Sequence, residues 1–263
     1  MPEARVDVEL LRRGLVRSRT AARSAIDEGR VRLDGRVVRK PAELVGPAAQ
    51  LAVVDDDHYV ARSAHKLIAG LDAFRVEPRG ILALDVGAST GGFTQVLLER
   101  GARRVIALDV GHDQLVPELR QDERVVVVEG ENARELTPAR LAHLSGSVER
   151  PALIVIDVSF ISLTMVLPAL VAIAASPALI VALIKPQFEV GRTVVRDGLV
   201  EDRPARHTAV RAVVAAAQGL GLEVGGLIAS PITGTAGNHE YLVLLRADGG
   251  RPAEWERALD ALD

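Results

Sequence analysis

The sequence predicts an α/β protein: a mainly parallel sheet with helices on both faces, preceded by a small α+β module. Three observations carry that expectation. From about residue 81 onward, short apolar runs alternate with helical patterns, as strand–helix–strand crossovers require. The first run, Ile81-Leu82-Ala83-Leu84, leads into Asp85-Val86-Gly87-Ala88-Ser89-Thr90-Gly91-Gly92, a glycine-rich turn, and then into a helical stretch. Before residue 58 the pattern is different, with two short amphipathic segments and an Asp-Gly pair between alternating residues.

In order along the chain, residues 6–15 predict a short amphipathic helix stopped near Gly14. Ser18 is placed to cap a second helix over 19–28, closed by Gly29. Val31-Arg32-Leu33 and Arg36-Val37-Val38 flank Asp34-Gly35, a strong hairpin signal, while Lys40-Pro41 and residues 51–54 read as further short strands. Asp55-Asp56-Asp57-His58-Tyr59-Val60 is polar and reads as a linker. Strands are then expected at 81–86, 103–109, 124–128, 152–157, 179–184, 222–229 and 240–246, and helices at 92–100, 113–120, 163–174 and 204–219. The last strand is expected to run antiparallel to its neighbour. The organisation expected is a head over 1–57, a linker over 58–61, a large domain over 62–247 and a polar tail over 248–263, with a short helical stretch around Trp255.

Composition narrows the classes. The 263 residues suffice for one large α/β domain plus a small module, and 48% hydrophobic content supports a sizeable core. Cysteine is absent, which excludes disulfides and thiolate metal sites. The six histidines show no metal-ligand spacing, and no metal is expected. No run of ~18 apolar residues predicts a membrane span. Residues 1–7 lack the apolar core of a signal peptide, so a cytoplasmic location is expected. The net charge is −3, yet residues 1–50 hold eleven basic and seven acidic side chains. A basic head on an acidic body points to a head that touches nucleic-acid phosphate.

The glycine turn constrains the ligand. No Gly-Lys-Ser/Thr follows it, which argues against a P-loop, and Ser89 stands where a dinucleotide fingerprint wants glycine. An acidic residue at the strand tip with a tight small-residue turn suits a ligand carrying ribose, adenine and a positive charge but no phosphate. S-adenosylmethionine fits that description. Asp85 would face the hydroxyls or the methionine moiety, and Gly87, Gly91 and Gly92 would let backbone approach closely. Asp109 ends the second strand, where an acid suits a ribose diol in NAD and methyl-donor sites alike. Asn132-Ala133 follows the third strand, where adenine edges are read.

Catalytic candidates lie at strand ends. Asp157 closes the apolar run 153–156 and Lys185 closes 179–184, and open α/β sheets bind ligands at those ends. Lys66 precedes the first strand and Glu240 opens the last. The chain has only three lysines, Lys40, Lys66 and Lys185, and two of them fall in this set. Lysines beside carboxylates suit proton transfer and the holding of a polar substrate.

The head resembles the S4 RNA-binding domain through Asp7, Leu10, Leu11, Ser18, Arg19, Ala22, Ile26, Gly29, Val31, Asp34-Gly35, Val37 and Lys40-Pro41. Lys66, Asp157, Lys185 and Glu240 match in order and context the Lys-Asp-Lys-Glu set of FtsJ-like RNA 2′-O-methyltransferases. Ala64-His65-Lys66-Leu67, the turn 85–94, Asp157-Val158-Ser159-Phe160-Ile161-Ser162-Leu163 and Lys185-Pro186-Gln187-Phe188-Glu189 extend this. The whole chain is thereby similar to the hemolysin-A-type (TlyA) ribosomal RNA 2′-O-methyltransferases. It departs from the family's usual Ser-Arg-Gly lead-in with Ala61-Arg62-Ser63, and carries Ala236 where a polar residue is expected.

The resemblance implies a Rossmann-like class I methyltransferase sheet and S-adenosylmethionine as methyl donor, with ribosomal RNA or ribosomal subunits as partner and cytidine ribose as target. It implies a donor site lined by Asp85, Gly87, Ser89, Thr90, Gly91, Gly92, Phe93, Asp109, Val110, Asn132, Ala133, Asp157 and Phe160. It further implies RNA contacts from Arg5, Arg17, Arg19, Arg23, Lys40, Arg62 and Arg134. Two other readings stand beside it: a membrane-active haemolysin, and an RNA-binding protein on an inactive methyltransferase fold.

Overall fold

A computed structural model describes residues 4–16, 19–27, 29–53, 58–191, 194–234, 237–246 and 253–262. Arg17, the Ser18 cap, Asp55 to Asp57 and Ala236 lie outside the described residues. The chain forms two compact units, residues 1–58 and residues 59–263.

In the first unit, β1 (Ala4–Arg5) leads into α1 (Val6–Arg12), and α2 (Arg19–Asp27) follows. A three-stranded sheet places β2 (Val31–Leu33) between β3 (Arg36–Val37) and β5 (Leu51–Val53), while β4 (Leu44–Val45) pairs antiparallel with β1. The hairpin turn is the predicted one, with Asp34 at φ 50° and Gly35 at φ 84°, the two positive φ values that a two-residue turn of matching twist needs. The first helix is shorter than expected. The N–H groups of Gly14 and Leu15 turn back to the carbonyls of Leu11 and Leu10 and close its last turn. Lys40-Pro41 is not a strand: Glu43 N–H donates to the Lys40 carbonyl and makes a turn there. Val6, Leu10, Ala22, Ala25, Ile26, Val31 and Leu33 form the core.

The second unit begins with α3 (Ala64–Phe74), followed by β6 (Leu82–Val86), α4 (Gly92–Glu99), β7 (Arg104–Asp109), α5 (Pro117–Arg120) and β8 (Val125–Glu129). A 3-10 turn (Ala133–Glu135), α6 (Pro138–Ser145), β9 (Leu153–Ile156), α7 (Leu163–Ile173), β10 (Leu179–Ile184) and α8 (Pro186–Glu189) come next. The unit closes with α9 (Arg203–Gly219), β11 (Glu223–Ala229), β12 (Tyr241–Arg246) and α10 (Trp255–Ala261). The sheet order is β11-β12-β10-β9-β6-β7-β8. Five strands are parallel, and β12 runs antiparallel to both β10 and β11. The chain winds outward from β6 to β8, then crosses back to β9 beside β6, so the switch of direction opens a crevice at the carboxyl ends of β6 and β9.

Alternate strand residues serve opposite faces. Leu84, Ile106, Ile154 and Ile180 pack with Val166, Leu170, Val210 and Val213 of α7 and α9. Ala83, Val105, Val155 and Val181 pack with Leu67, Leu71, Val96 and Leu97 of α3 and α4. Both faces are covered, hence the nearly continuous apolar strands.

Two expectations are corrected. The helix at 113–120 is confined to Pro117–Arg120, because proline holds the preceding Val116 extended at φ −62°, ψ 148°. The segment around Trp255 is more than a polar tail. Ala253 N–H donates to the Val224 carbonyl, and Leu259 of α10 is fully buried in the core.

Candidate active site

The glycine turn bends tightly between β6 and α4. Gly87 has φ +86°, and a Cβ there would stand 2.6 Å from the Asp157 carbonyl oxygen, so glycine is what lets β6 and β9 approach at the crevice. The Cβ positions of Gly91 and Gly92 are also taken, by Leu119 and Ser63 respectively. These glycines therefore serve the packing of the turn itself. Phe93 is buried in the apolar layer with Val96 and Leu97, so its ring belongs to the core. Thr90 is half-buried, and its carbonyl accepts the Val116 N–H.

Asp85 is fully buried near the tip of β6. One carboxylate oxygen accepts the Thr94 hydroxyl at 2.7 Å, and the other, Oδ1, is buried with no hydrogen-bond partner among the described residues. Burial pushes this carboxyl up to about 7, against the Thr94 hydrogen bond and with the Asp157 charge adding to the rise.

Asp109 closes β7 and accepts two backbone N–H groups, from Ser89 at 2.8 Å and Gly111 at 2.7 Å. It thus ties the turn after β6 to the end of β7. Val110 is exposed beside it. Asn132 accepts the Arg134 N–H at 3.1 Å and caps the short turn that buries Ala133. Arg134 is exposed, and Arg62 is half-buried just before α3.

The four charged candidates, Lys66 on α3 and three at strand ends, resolve into two ion pairs. Lys66 Nζ, in the first turn of α3, lies 2.5 Å from Glu240 Oε2, and the two side chains are only 7% and 2% exposed. Lys185 Nζ lies 2.7 Å from Asp157 Oδ1, with side chains 11% and 15% exposed. The sheet brings these together: β9 and β10 are parallel neighbours, and Ile184 stands opposite Tyr241, so Lys185 and Glu240 sit at adjoining strand ends. Glu240 is deeply buried, with Gly234 packed over its carboxylate.

Sequence reasoning missed several supporting residues. Ser159 accepts a hydrogen bond from Lys185 Nζ at 2.8 Å. Glu189 accepts the Ser162 hydroxyl at 2.5 Å and the Leu163 N–H at 2.9 Å, which anchors the loop after β9 to α8. Burial raises the Glu189 carboxyl. Asn238 accepts the Val200 N–H at 3.0 Å and donates to the Gly198 carbonyl at 2.7 Å, pinning the loop that delivers Glu240. Nothing in their sequence spacing marks these contacts, which join segments tens of residues apart. Phe160 is 91% exposed at φ +65°, its ring centroid 5.2 Å from that of Phe188.

In the first unit, the fully buried Asp7 collects three arginines. Arg5 lies at 2.9 Å, Arg19 at 3.1 Å and Arg23 at 3.9 Å from its carboxylate. The Arg5 hydrogen bond leads in lowering the Asp7 carboxyl. One carboxylate against three half-exposed guanidinium groups leaves a positive cluster. Lys40 is exposed on the turn before β4.

Comparison with known proteins finds likeness in both units. Residues 59–247 match the FtsJ-like methyltransferase family and residues 4–51 match the S4 domain. The 16S/23S rRNA (cytidine-2′-O)-methyltransferase TlyA of Mycobacterium tuberculosis is 49% identical over 98% of this chain and 96% of its own length. Hemolysin A of Brachyspira hyodysenteriae is 37% identical over 90% of this chain and 98% of its own length. The solved structure of a candidate hemolysin from Streptococcus thermophilus superposes with a TM-score of 0.77 at 36% identity, covering 99% of this chain and 96% of that one. With an S4 head, a seven-stranded switch-point sheet and near-full-length likeness to these relatives, the chain belongs to the TlyA (hemolysin-A-type) branch of the FtsJ-like methyltransferases.

Proposed function

We propose that the chain transfers a methyl group from S-adenosylmethionine to a cytidine ribose 2′-hydroxyl in ribosomal RNA. The observation that carries this is Lys185, held 2.7 Å from Asp157 at the carboxyl ends of neighbouring parallel strands, beside the switch-point crevice. The name of the Mycobacterium tuberculosis relative supports the choice of cytidine and of ribosomal RNA.

The residues fit the methyl donor. Asp85 has a buried carboxylate oxygen without a partner at the crevice, ready for a donor from a ligand. Asp109 accepts one N–H on each oxygen and keeps lone pairs for a diol. Asp157, partly exposed at the end of β9, gives the crevice a carboxylate that suits a cationic ligand. Bound there, S-adenosylmethionine would supply an electrophilic methyl group.

The chain's own task is to prepare the hydroxyl. A ribose 2′-hydroxyl holds its proton tightly and must be aligned as it attacks. Lys185 in its neutral form takes that proton on Nζ while the hydroxyl oxygen bonds to the methyl carbon. Asp157 then stabilises the ammonium that forms. The buried Lys66–Glu240 pair braces α3 against β12 and shapes the neighbouring wall. The arginines gathered by Asp7, with Lys40, supply phosphate contacts on the head, and Arg62 and Arg134 add charge on the transferase unit.

Two measurements test the reading. Calorimetry should detect S-adenosylmethionine binding and no comparable NAD binding. The purified chain, given radiolabelled S-adenosylmethionine and unmodified ribosomal subunits, should yield 2′-O-methylcytidine on nuclease digestion and mass spectrometry. Label on a nucleobase, or in no ribosomal RNA, would refute it. Among the described residues no helix is long and apolar enough to cross a membrane.

A further inference from the structure

The amine of Lys185 has two neighbours that play different parts. Asp157 Oδ1 is 2.7 Å away, yet it makes no hydrogen bond of acceptable geometry. That carboxylate attracts the amine without fixing its direction. Ser159 Oγ, at 2.8 Å, does accept a hydrogen bond from Nζ. The rotation of a lysine headgroup is otherwise nearly free, so the one well-formed hydrogen bond decides where its remaining valences point.

We propose that Ser159 is a positioning residue for Lys185, holding one N–H so that the amine's lone pair is presented to the ribose 2′-hydroxyl. This rests on the 2′-O-methyltransferase reading of the site. A neutral amine has two N–H bonds and one lone pair at tetrahedral angles. With one N–H on Ser159 and the other drawn toward Asp157, the lone pair is left for the incoming hydroxyl. In the step itself the O–H bond breaks as N–H forms on Lys185. The oxygen's electron pair forms the new C–O bond, and the C–S pair returns to sulfur.

The surrounding loop is built to hold Ser159 still. At one end Asp157 N–H donates to the Val86 carbonyl at 2.9 Å. At the other, Glu189 holds Ser162 and Leu163. Ser159 is itself exposed, so its hydroxyl can be removed without opening a cavity in the core.

The test compares Ser159→Ala and Ser159→Thr in the full chain. Ser159→Ala should lower kcat roughly tenfold, as the loss of one hydrogen bond to a charged or charging group predicts, while KM for RNA and for S-adenosylmethionine stays within about twofold. Ser159→Thr keeps the oxygen and should retain most of kcat. Wild-type kcat in Ser159→Ala, a raised KM with unchanged kcat, or failure of Ser159→Thr to restore turnover would each overturn the assignment. A second readout needs no methyl transfer. Acetic anhydride labelling, mapped by mass spectrometry onto the chain's three lysines, should modify Lys185 several-fold more slowly in Ser159→Ala than in the wild type, because the lone pair is no longer presented to an incoming group. Equal rates would overturn the proposal even if ribosomal RNA proved not to be the substrate.

Discussion

Removing the Glu240 carboxylate should cost stability first and activity as a consequence. From sequence, Glu240 is expected to be a peripheral carboxylate that water can replace, so that Glu240→Ala hurts methyl transfer less than Lys185→Ala or Asp157→Ala. The structure shows a buried carboxylate, not a peripheral one. Glu240 is 2% exposed, its partner Lys66 7% exposed, and the contact is 2.5 Å. Truncating one member strands the other charge in a place water does not reach, which costs about 3–5 kcal/mol. Against a total stability of about 5–15 kcal/mol this is a large share. At roughly 2–4 °C per kcal/mol for a domain of this size, the midpoint of thermal unfolding should fall by about 6–20 °C. Differential scanning calorimetry of the full chain gives the number. The double variant Lys66→Met/Glu240→Met, which removes both charges and keeps volume, should recover most of the loss, since buried pairs exchanged for apolar groups are often near neutral. If Glu240→Ala unfolds within about 2 °C of the wild type, or the double variant is no better than the single one, the pair is not a dehydrated brace and the reasoning fails.

Asp85 should make stability fall as pH rises. Its carboxyl is raised from an ordinary value near 3.8 to about 7, so the folded state holds a proton that the unfolded chain releases, and this contribution is complete below pH 4 and lost on the way to pH 7. Asp85→Asn should therefore unfold at a higher temperature than the wild type at pH 8 and show no such gain at pH 4; parallel curves at both pH values would contradict this. Lys185→Arg keeps the positive charge but does not readily give up a proton, so turnover should fall by about a hundred- to ten-thousand-fold, and near-normal turnover in a folded variant would leave Lys185 only an orienting role. Replacing both Arg19 and Arg23 by Ala should weaken ribosomal RNA binding and flatten the log–log salt dependence by about 1–2, because fewer counterions are released; an unchanged slope in filter-binding titrations would remove these arginines from the interface.

Much of this protein follows from local pattern. The apolar runs at 81–84, 153–156 and 179–184 had to become buried parallel strands, because residues apolar on both faces are stable only inside a layered sheet. Asp34-Gly35 specified its hairpin because few residue pairs accept positive φ twice. Asp157 and Lys185 stood out because a charge ending an apolar run sits at a strand tip, where α/β sheets bind ligands. The arginines of the head could be counted, and phosphate contact expected of them.

Tertiary structure decided the partnerships. Lys66 and Glu240 are 174 positions apart, and only the placement of α3 and β12 makes them a buried pair. That Asp7 gathers Arg5, Arg19 and Arg23 depends on how α1 packs on α2. Ser159 bonds Lys185 across 26 positions, and Glu189 reaches back as far to hold the same loop. The glycines of the turn owe their places to atoms of Asp157, Leu119 and Ser63 that approach from elsewhere in the chain. Periodicity and propensity are properties of neighbours in sequence, whereas burial, ion pairing and the direction of an amine's lone pair depend on groups that only folding brings within a few ångströms.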